Sequence, residues 1–238
     1  MISITLPSIY PDALKRTLEN LRDTSVGEYE VIIVSPFDPP RIVGKNGWIK
    51  WVMETEPKGC NPAHAKAFPH ARGEYITAWV DDHLYVPRWD EIIIKDFRER
   101  VNVQVWNMSA AKPLLMGMRQ GPFVGLTFGM YYAYFPFMRT TDAKTTGWFS
   151  TDYERDFADV DLAMRVWDYG GVCEWSKEIL IAAHVDDNRK GGRQVNESDM
   201  NKFISRWKLV YGKDCSTATL RDFNNDIPMP LDIRSIRQ

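Results

Sequence analysis

The chain has 238 residues, of which 44% are hydrophobic and 26% are charged, and these values predict one sizeable globular domain with a buried core. Its 30 basic and 32 acidic residues give a net charge of −2, which excludes an overall positive field that would draw the chain to nucleic acid or an anionic membrane. Binding of acidic groups must therefore be local.

The cysteines and the apolar runs restrict where the chain can work. Cys60, Cys173 and Cys215 lack Cys-x-x-Cys spacing, which argues against a disulfide framework and a zinc ribbon. No basic segment followed by a long apolar run opens the chain, and no apolar stretch approaches the roughly 20 residues that span a bilayer. We therefore expect no signal peptide, a cytoplasmic location and, at most, peripheral membrane association.

Strand and helix patterns alternate in the first part of the chain. Residues 2–6 alternate apolar and polar side chains before Pro7, and leucines at helical spacing follow at 14, 18 and 21. The β-branched run 29–34 is typical of a strand buried in a parallel sheet. An alanine-rich segment at 63–71, a strand at 74–80 and a helix at 89–97 continue the alternation.

The second part of the chain is richer in strand patterns. In chain order, it predicts strands over 103–105 and within 123–135, a polar loop over 140–150, a helix over 159–169, strands over 172–175 and 179–183, a loop over 186–199 and a helix around 203–210. We expect one domain over residues 1–212, with a nucleotide-binding half at about 1–100 and an acceptor and catalytic half at about 101–212. Residues 213–238 form a tail.

Asp81, Asp82 and His83 form the sharpest cluster of chemically active side chains. They follow a predicted strand, and ligands bind at the carboxyl ends of strands in open α/β sheets. Carboxylate and imidazole groups on one tight turn can hold a divalent cation and leave open positions for phosphate oxygens. Two aspartates after a strand also commonly cap a turn, so both interpretations stay open at this point.

Four separated motifs resemble family 2 glycosyltransferases. The stretch 71–76, Ala-Arg-Gly-Glu-Tyr-Ile, precedes an apolar run, the acidic triplet and Pro87-x-Trp89, and residues 3–8 and 31–35 resemble the family's first two strands. The resemblance implies a GT-A fold. This is an α/β fold with a single Rossmann-like, mostly parallel central sheet, flanking helices and a small additional β element.

The third position of the triplet is His83, where the family usually has a second metal-binding aspartate. Such a D-x-H triplet resembles that of polypeptide N-acetylgalactosaminyltransferases, which implies that Asp81 and His83 bind the metal and that a distant histidine, His184, completes the site. Asp82 would contact the metal or the ribose. Because imidazole suits a softer ion, we expect Mn²⁺ rather than Mg²⁺.

A catalytic base is expected at Asp159. Residues 147–149 and 157–165 resemble the family stretch that carries the base, with Ala158 where glutamate is common. In inverting members this base takes the proton of the acceptor hydroxyl. Asp159 and Asp161 could instead only stabilise the helix that follows, a role that we expect for Asp161.

The donor is expected to contact residues at several strand ends and loops. By the resemblance, these are Pro7, Ser8, Ser35, Lys58, Asn61, His64, Lys66, Asp81 and Asp82. Diphosphate charge must also be met, and Arg189, Lys190 and Arg193 of a glycine-containing loop are the candidates. The loop cations would close over the diphosphate, although an ordinary solvated loop has the same composition. Aromatic residues within 123–148 could form an acceptor platform, but most are expected in the core.

The sequence thus predicts a metal-dependent transferase of glycan biosynthesis that moves a sugar from a nucleotide diphosphate, UDP by default, to a hydroxyl acceptor. The resemblance implies inversion, although the D-x-H triplet also occurs in retaining relatives. Guanosine and thymidine donors stay open. A catalytically silent nucleotide- or glycan-binding module is the alternative, since Ala158 and the altered triplet depart from the family. A nucleotidyltransferase is disfavoured because no glycine-rich basic loop follows the first strand, and a dehydrogenase because no G-x-G-x-x-G follows either early strand.

Overall fold

A computed structural model of the chain describes residues 1–107, 112–121, 124–127, 130–133, 135–184, 196–211 and 220–222. The strands in these ranges are β1 (Ile2–Pro7), β2 (Tyr29–Ser35), β3 (Gly47–Met53), β4 (Tyr75–Ala78), β5 (His83–Tyr85), β6 (Leu114–Arg119), β7 (Val124–Thr127), β8 (Met130–Tyr132), β9 (Pro136–Arg139), β10 (Val172–Ile179), β11 (Ile181–His184) and β12 (Leu220–Asp222). The helices are α1 (Pro11–Thr24), α2 (Cys60–Ala67), α3 (Trp89–Asn107), α4 (Thr140–Thr146), α5 (Ala158–Asp168) and α6 (Glu197–Tyr211), and a 3₁₀ turn at Phe68–His70 follows α2.

The centre of the molecule is a seven-stranded sheet in the order β10-β6-β9-β4-β1-β2-β3. Within it β9 runs antiparallel to both of its neighbours, and the other described strand pairs are parallel. The carboxyl ends of β1, β2, β3 and β4 therefore lie at the same edge of the sheet. The predicted α/β class with a mostly parallel central sheet is confirmed.

The first βαβ unit forms because its apolar residues match both periods. Every residue of β2 is buried, as expected for a strand covered on both faces. Pro11 starts α1, where its missing N–H costs nothing, and Leu14, Leu18 and Leu21 of that helix are buried. The helix thus returns the chain to β2, which pairs in parallel with β1.

Hydrophobic clusters cover both faces of the sheet. Leu14 and Leu18 of α1, with Trp89 of α3, pack on one face, and Leu162 of α5 with Phe203 of α6 packs on the other. Strands from both predicted halves of the chain, 1–100 and 101–212, belong to this one sheet. No helix in the described ranges is long and apolar enough to cross a membrane.

Two small sheets flank the central one. β5 pairs with β11, and β7 pairs with β8 and β12. The predicted small β element is thus present, and the β5–β11 pair contains His83, which places it next to the candidate site.

Several local predictions were wrong. Residues 103–105 continue α3 and do not form a strand, because β-branched residues lower helix propensity only slightly and no glycine or proline interrupts the helix. The predicted loop 140–150 begins with α4, in which the Thr145 and Thr146 hydroxyls donate to carbonyl oxygens four residues earlier. Residues 197–199, predicted as loop, are the first turn of α6.

The motif at residues 71–76 lies at the amino edge of the sheet and is structural. The Gly73 N–H donates to the Ser3 hydroxyl at 2.8 Å, and a Cβ on Gly73 would stand 2.7 Å from the Ser3 nitrogen. The Arg72 N–H and the Ser3 hydroxyl both donate to Glu30, at 2.6 Å each. Burial would raise the pKa of Glu30, but these donors hold it below its ordinary value. Only glycine fits this close contact between two strands.

Candidate functional site

Ser8 and Asp81 meet at the carboxyl edge of the sheet. Ser8 directly follows Pro7, the last residue of β1, and its hydroxyl donates to the Asp81 carboxylate at 2.5 Å. The Thr17 hydroxyl of α1 donates to the Asp81 carbonyl oxygen at 3.0 Å. Asp81 is 5% exposed, so its carboxylate is held firmly between β1 and α1.

The next two residues form a carboxylate–imidazole pair. The Asp82 Oδ1 and His83 Nδ1 atoms are 2.6 Å apart, and the imidazole lies at 4.8 Å, edge to face, from the Phe135 ring. Histidines that bind metal commonly make such a contact with a carboxylate, because it fixes the tautomer and the orientation of the ring. The arrangement makes Nε2 the nitrogen that would bind a metal.

The third predicted metal ligand comes from the neighbouring strand. In the antiparallel pairing of β11 with β5, residue 184 is the direct partner of residue 83, so the two backbones lie side by side. The side chain of His184 lies outside the described part of the structure. Among the side chains that the structure describes, no three of His, Cys, Asp and Glu form a group that could hold a metal ion.

A groove of about 460 Å³ lies between the end of β3 and the start of α2. It is lined by Met53, Glu54, Thr55, Glu56, Lys58, Pro62, Lys66 and Thr151. Lys66 Nζ donates to the Met53 carbonyl oxygen at 2.8 Å and lies 3.9 Å from Glu54. Two residues predicted to bind the donor, Lys58 and Lys66, therefore share this groove with two carboxylates.

Ser35 and Asn61 are buried near this groove. The Ser35 hydroxyl donates to the Phe37 carbonyl oxygen at 2.6 Å and accepts from the Trp51 indole at 3.1 Å, so it stabilises the turn after β2. Asn61 is 4% exposed and its Nδ2 has no hydrogen-bond partner among the described residues. Its side-chain amide is therefore a donor at the start of α2 that a ligand could use.

Solved structures share this architecture. The S. aureus TarS fragment 1–349 in complex with UDP-GlcNAc matches with a TM-score of 0.61 at 14% identity, over 87% of this chain and 65% of that one. The mannosyltransferase PcManGT from Pyrobaculum calidifontis in complex with GDP-Man and Mn²⁺ matches with a TM-score of 0.57 at 14% identity, over 79% and 58%. The chain has a glycosyltransferase fold.

A further crystal structure of the TarS fragment 1–349 gives a TM-score of 0.54 at 14% identity, over 77% of this chain and 60% of that one. This chain thus spans about 60% of the length of the first matched glycosyltransferase structures. No protein-family model and no curated protein matches the sequence.

His64 lies inside this glycosyltransferase fold, between β1 and the segment that carries Phe149. The Thr5 hydroxyl lies 2.8 Å from His64 Nδ1 and also donates to the Thr77 carbonyl oxygen at 3.2 Å. A hydroxyl has one proton, so Nδ1 must be the donor in the first contact. Burial lowers the pKa of His64 to about 3, which keeps the ring neutral. It cannot supply positive charge to a diphosphate.

Asp159 and Asp161 lie in the first turn of α5 in different environments. Asp159 is partly exposed, and its Oδ1 accepts from the Val160 N–H at 2.9 Å. Asp161 is fully buried, and Arg165 Nε and Trp207 Nε1 donate to it at 2.8 and 3.0 Å. Asp161 thus joins α5 to α6, a more extensive structural role than the helix-end stabilisation predicted for it.

Asp199 was not among the functional residues predicted from the sequence. Its buried carboxylate accepts the backbone N–H groups of Glu154, Arg155 and Asp156, in the turn before α5. The Asn196 side chain accepts the Asp199 N–H at 3.2 Å, which resembles a capping box. The spacing Asn196-x-x-Asp199 was the available signal that a helix begins here. The predicted donor-binding residues Arg189, Lys190 and Arg193 lie outside the described residues.

Proposed function

We propose that the protein is a metal-dependent glycosyltransferase that transfers a sugar from a nucleotide diphosphate to a hydroxyl acceptor, on a GT-A fold. The observation that carries the proposal is the contact of Ser8 with Asp81, two residues before His83, at the carboxyl edge of a sheet shared with glycosyltransferase structures. In open α/β sheets this edge is where ligands bind.

In this proposal Asp81, His83 and His184 hold the divalent cation. Carboxylate oxygen and imidazole nitrogen suit Mn²⁺, and the contact between Asp82 and His83 provides the supporting carboxylate expected around a metal-binding histidine. The pairing of residues 83 and 184 supports their convergence. When bound, the cation supplies positive charge that stabilises the diphosphate leaving group.

The groove beside α2 is proposed to receive the nucleotide. Its volume of about 460 Å³ falls within the roughly 300–1,000 Å³ usual for small-molecule sites. UDP is the first candidate because TarS was crystallised with UDP-GlcNAc, and the GDP-Man complex of PcManGT keeps a guanosine donor open. Lys58 and Lys66 line the groove, and Arg189, Lys190 and Arg193 are proposed to meet the diphosphate.

Asp159 is proposed as the base. Its carboxylate takes the proton of the acceptor hydroxyl while that oxygen forms a bond to the anomeric carbon. The bond from the anomeric carbon to the phosphate oxygen breaks, and the diphosphate leaves with the electron pair. Attack on the face opposite the leaving group gives inversion.

Ala158 favours a second candidate function, a binding module without catalysis. It stands where the related sequences commonly have glutamate, and it is 1% exposed and packed in the core cluster on α5. A longer, charged side chain at this place would need a different local packing. The chain therefore lacks one carboxylate that the resemblance leads us to expect beside Asp159.

The test combines calorimetry with donor hydrolysis. UDP, GDP and dTDP are titrated with and without Mn²⁺, and release of sugar from UDP-GlcNAc and GDP-mannose is then measured. We expect nucleotide binding and donor hydrolysis to depend on Mn²⁺, and we expect Asp81→Asn to abolish both. The control is Asp23→Asn, on the exposed surface of α1, which should leave both unchanged. Tight binding without sugar release from any donor would favour the module, and no binding of UDP, GDP or dTDP would refute both the transferase with these donors and a nucleotide-binding module.

A further inference from the structure

The backbone is strained two residues before Asp159. Phe157 adopts φ 65° and ψ −4°, the left-handed conformation, at the position that starts α5. This conformation is unfavourable for a residue with a Cβ, and the surrounding structure must hold it. The direction in which α5 begins, and with it the place of Asp159, depends on this residue.

Helix α6 holds the turn from one side. The Asp199 carboxylate, with no exposed surface, accepts the N–H groups of Glu154, Arg155 and Asp156 at 3.1, 2.9 and 3.0 Å. Burial would raise the pKa of Asp199, but these three donors hold it below its ordinary value. The carboxylate is therefore charged and bonded to three successive residues of the turn.

Two further contacts extend this attachment to Phe157. The Asn196 N–H donates to the Asp156 carboxylate at 2.8 Å, so the turn and α6 bond each other in both directions. The Phe157 ring stacks on the Phe203 ring of α6 with centroids 5.3 Å apart, and both rings are buried. The first two turns of α6 thus contact every residue from 154 to 157.

The opposite side of the turn contacts the start of α2, next to the groove that Lys58 and Pro62 line. The Glu154 carbonyl oxygen accepts the Asn61 N–H at 3.3 Å, and a Cβ on Gly59 would stand 2.3 Å from that oxygen. Thr151, a few residues earlier, lines the groove itself. The turn therefore lies between the start of α2 and α6.

We infer that Asp199 is a positioning residue. It holds the turn 154–157 in its strained conformation and thereby fixes the position of Asp159 relative to the groove beside α2. The inference rests on the proposed function, since it takes Asp159 as the base. The Asp199 carboxylate accepts backbone N–H groups of the turn, so it acts on Asp159 through the backbone.

The test compares two buried aspartates that hold backbone N–H groups. Asp199→Asn keeps the shape and replaces one accepting oxygen with an NH₂ group. The matched control is Asp90→Asn, because Asp90 is 2% exposed and accepts the Val26 and Gly27 N–H groups at the amino edge of the sheet. Hydrolysis of UDP-GlcNAc or GDP-mannose, thermal unfolding and amide hydrogen exchange are measured for both variants at a temperature where both are folded.

We expect Asp199→Asn to lower kcat roughly 10- to 100-fold at unchanged donor KM, since small misplacement of a catalytic group has effects of this size. Amide exchange at 154–156 should accelerate about 10-fold or more while the amides of α5 stay protected. Asp90→Asn should lower the melting temperature and keep kcat. An equal loss of kcat in Asp90→Asn, or unchanged exchange at 154–156 in Asp199→Asn, would overturn the inference.

The exchange measurement distinguishes failure of the proposed function from failure of the positioning role of Asp199. If the wild-type protein hydrolyses neither donor, the proposed function fails, and accelerated exchange at 154–156 in Asp199→Asn alone still supports the positioning of this turn. If Asp199→Asn does not fold, Phe203→Leu replaces it, because this change removes only the ring that stacks on Phe157. The same pattern of lower kcat and faster exchange is expected, and its absence counts against the inference.

Discussion

At the scale of single residues, Asp159 and Asp161 show how one turn of helix can carry two carboxylates with separate tasks. Asp161 is fully buried and pairs with Arg165, which also donates to the carbonyl oxygens of Thr146 and Trp148 at 2.6 and 2.7 Å. Asp159 is partly exposed on the same turn. Burial and paired donors suit a structural role, and partial exposure suits contact with a ligand.

Exchange of each carboxylate for an amide should separate the two roles. Asp159→Asn should reduce donor hydrolysis by about 100-fold or more and change the free energy of unfolding by less than about 0.5 kcal/mol. Asp161→Asn leaves the Arg165 guanidinium, on a side chain that is only 13% exposed, without its charge partner and should cost about 3–5 kcal/mol. Urea unfolding and hydrolysis of UDP-GlcNAc are measured for both variants. A loss of stability in Asp159→Asn together with a loss of hydrolysis at full stability in Asp161→Asn would reverse the two assignments.

His64 should make stability depend on pH. Its pKa of about 3 in the folded protein lies below the ordinary 6.5, so below pH 6.5 the unfolded chain binds a proton here that the folded protein does not. Above pH 6.5 the neutral ring of His64 makes its full contribution to the free energy of unfolding. Below pH 6.5 that free energy falls by up to about 1.4 kcal/mol for each unit of decreasing pH.

Urea unfolding between about pH 7 and pH 5 measures this slope. His64→Asn keeps a donor near the Nδ1 position and should reduce the slope relative to the wild-type protein. His70→Asn, which removes an exposed imidazole from the 3₁₀ turn after α2, is the control and should leave it unchanged. An identical slope in His64→Asn would show that this ring does not govern the pH dependence.

At the scale of elements, the start of α2 depends on one glycine. Gly59 has φ 113°, and a Cβ there would stand 2.3 Å from the Glu154 carbonyl oxygen. Gly59→Ala should lower the free energy of unfolding by more than about 2 kcal/mol, because backbone strain and a clash act together, and should weaken UDP binding in calorimetry. Gly170→Ala, at φ 73°, meets no clash with the described residues and should cost only about 1 kcal/mol. Equal costs would contradict the role of the clash.

The predictable elements were those with a strong local pattern. β1, β2 and α1 are visible in the sequence because their apolar residues repeat at the period of the element. β3 was not predicted. It lies at the edge of the sheet, where Trp48 and Trp51 are only partly buried and Lys50 is exposed, so it has neither the continuous burial of β2 nor one buried face. α4 was missed because its threonines have low helix propensity in isolation and are stabilised by bonds that form only within the helix.

In the candidate site, the contacts that follow from the order of the strands were predictable, and the contacts between distant segments were not. Ser8 and Asp81 follow two strands that pair in parallel, so their meeting follows from the order of the strands. The bonds of Asp199 to residues 154–156 join segments more than 40 residues apart. No local pattern encodes such a contact, and the neutral state of His64 likewise depends on burial by distant segments.

At the scale of the whole molecule, strands from both predicted halves form one sheet, and we expect the chain to unfold as one domain. Leu18→Ala on one face and Leu162→Ala on the other remove fully buried side chains, and each should cost about 2–5 kcal/mol. Each should shift a single transition in which circular dichroism and tryptophan fluorescence coincide. Val26→Ala, at a 44% exposed position, is the control. Two separated transitions would show that the halves fold independently.

Gly73 has a consequence for how chains of this architecture are recognised. The chain near Gly73 packs closely against Ser3 because β1 and β4 pair there, at the edge of the sheet away from Asp81. A glycine would therefore still be required at this position in a descendant that had lost its catalytic activity. The motif around Gly73 therefore marks the scaffold, and sorting working enzymes from inert copies needs the residues at the other edge of the sheet.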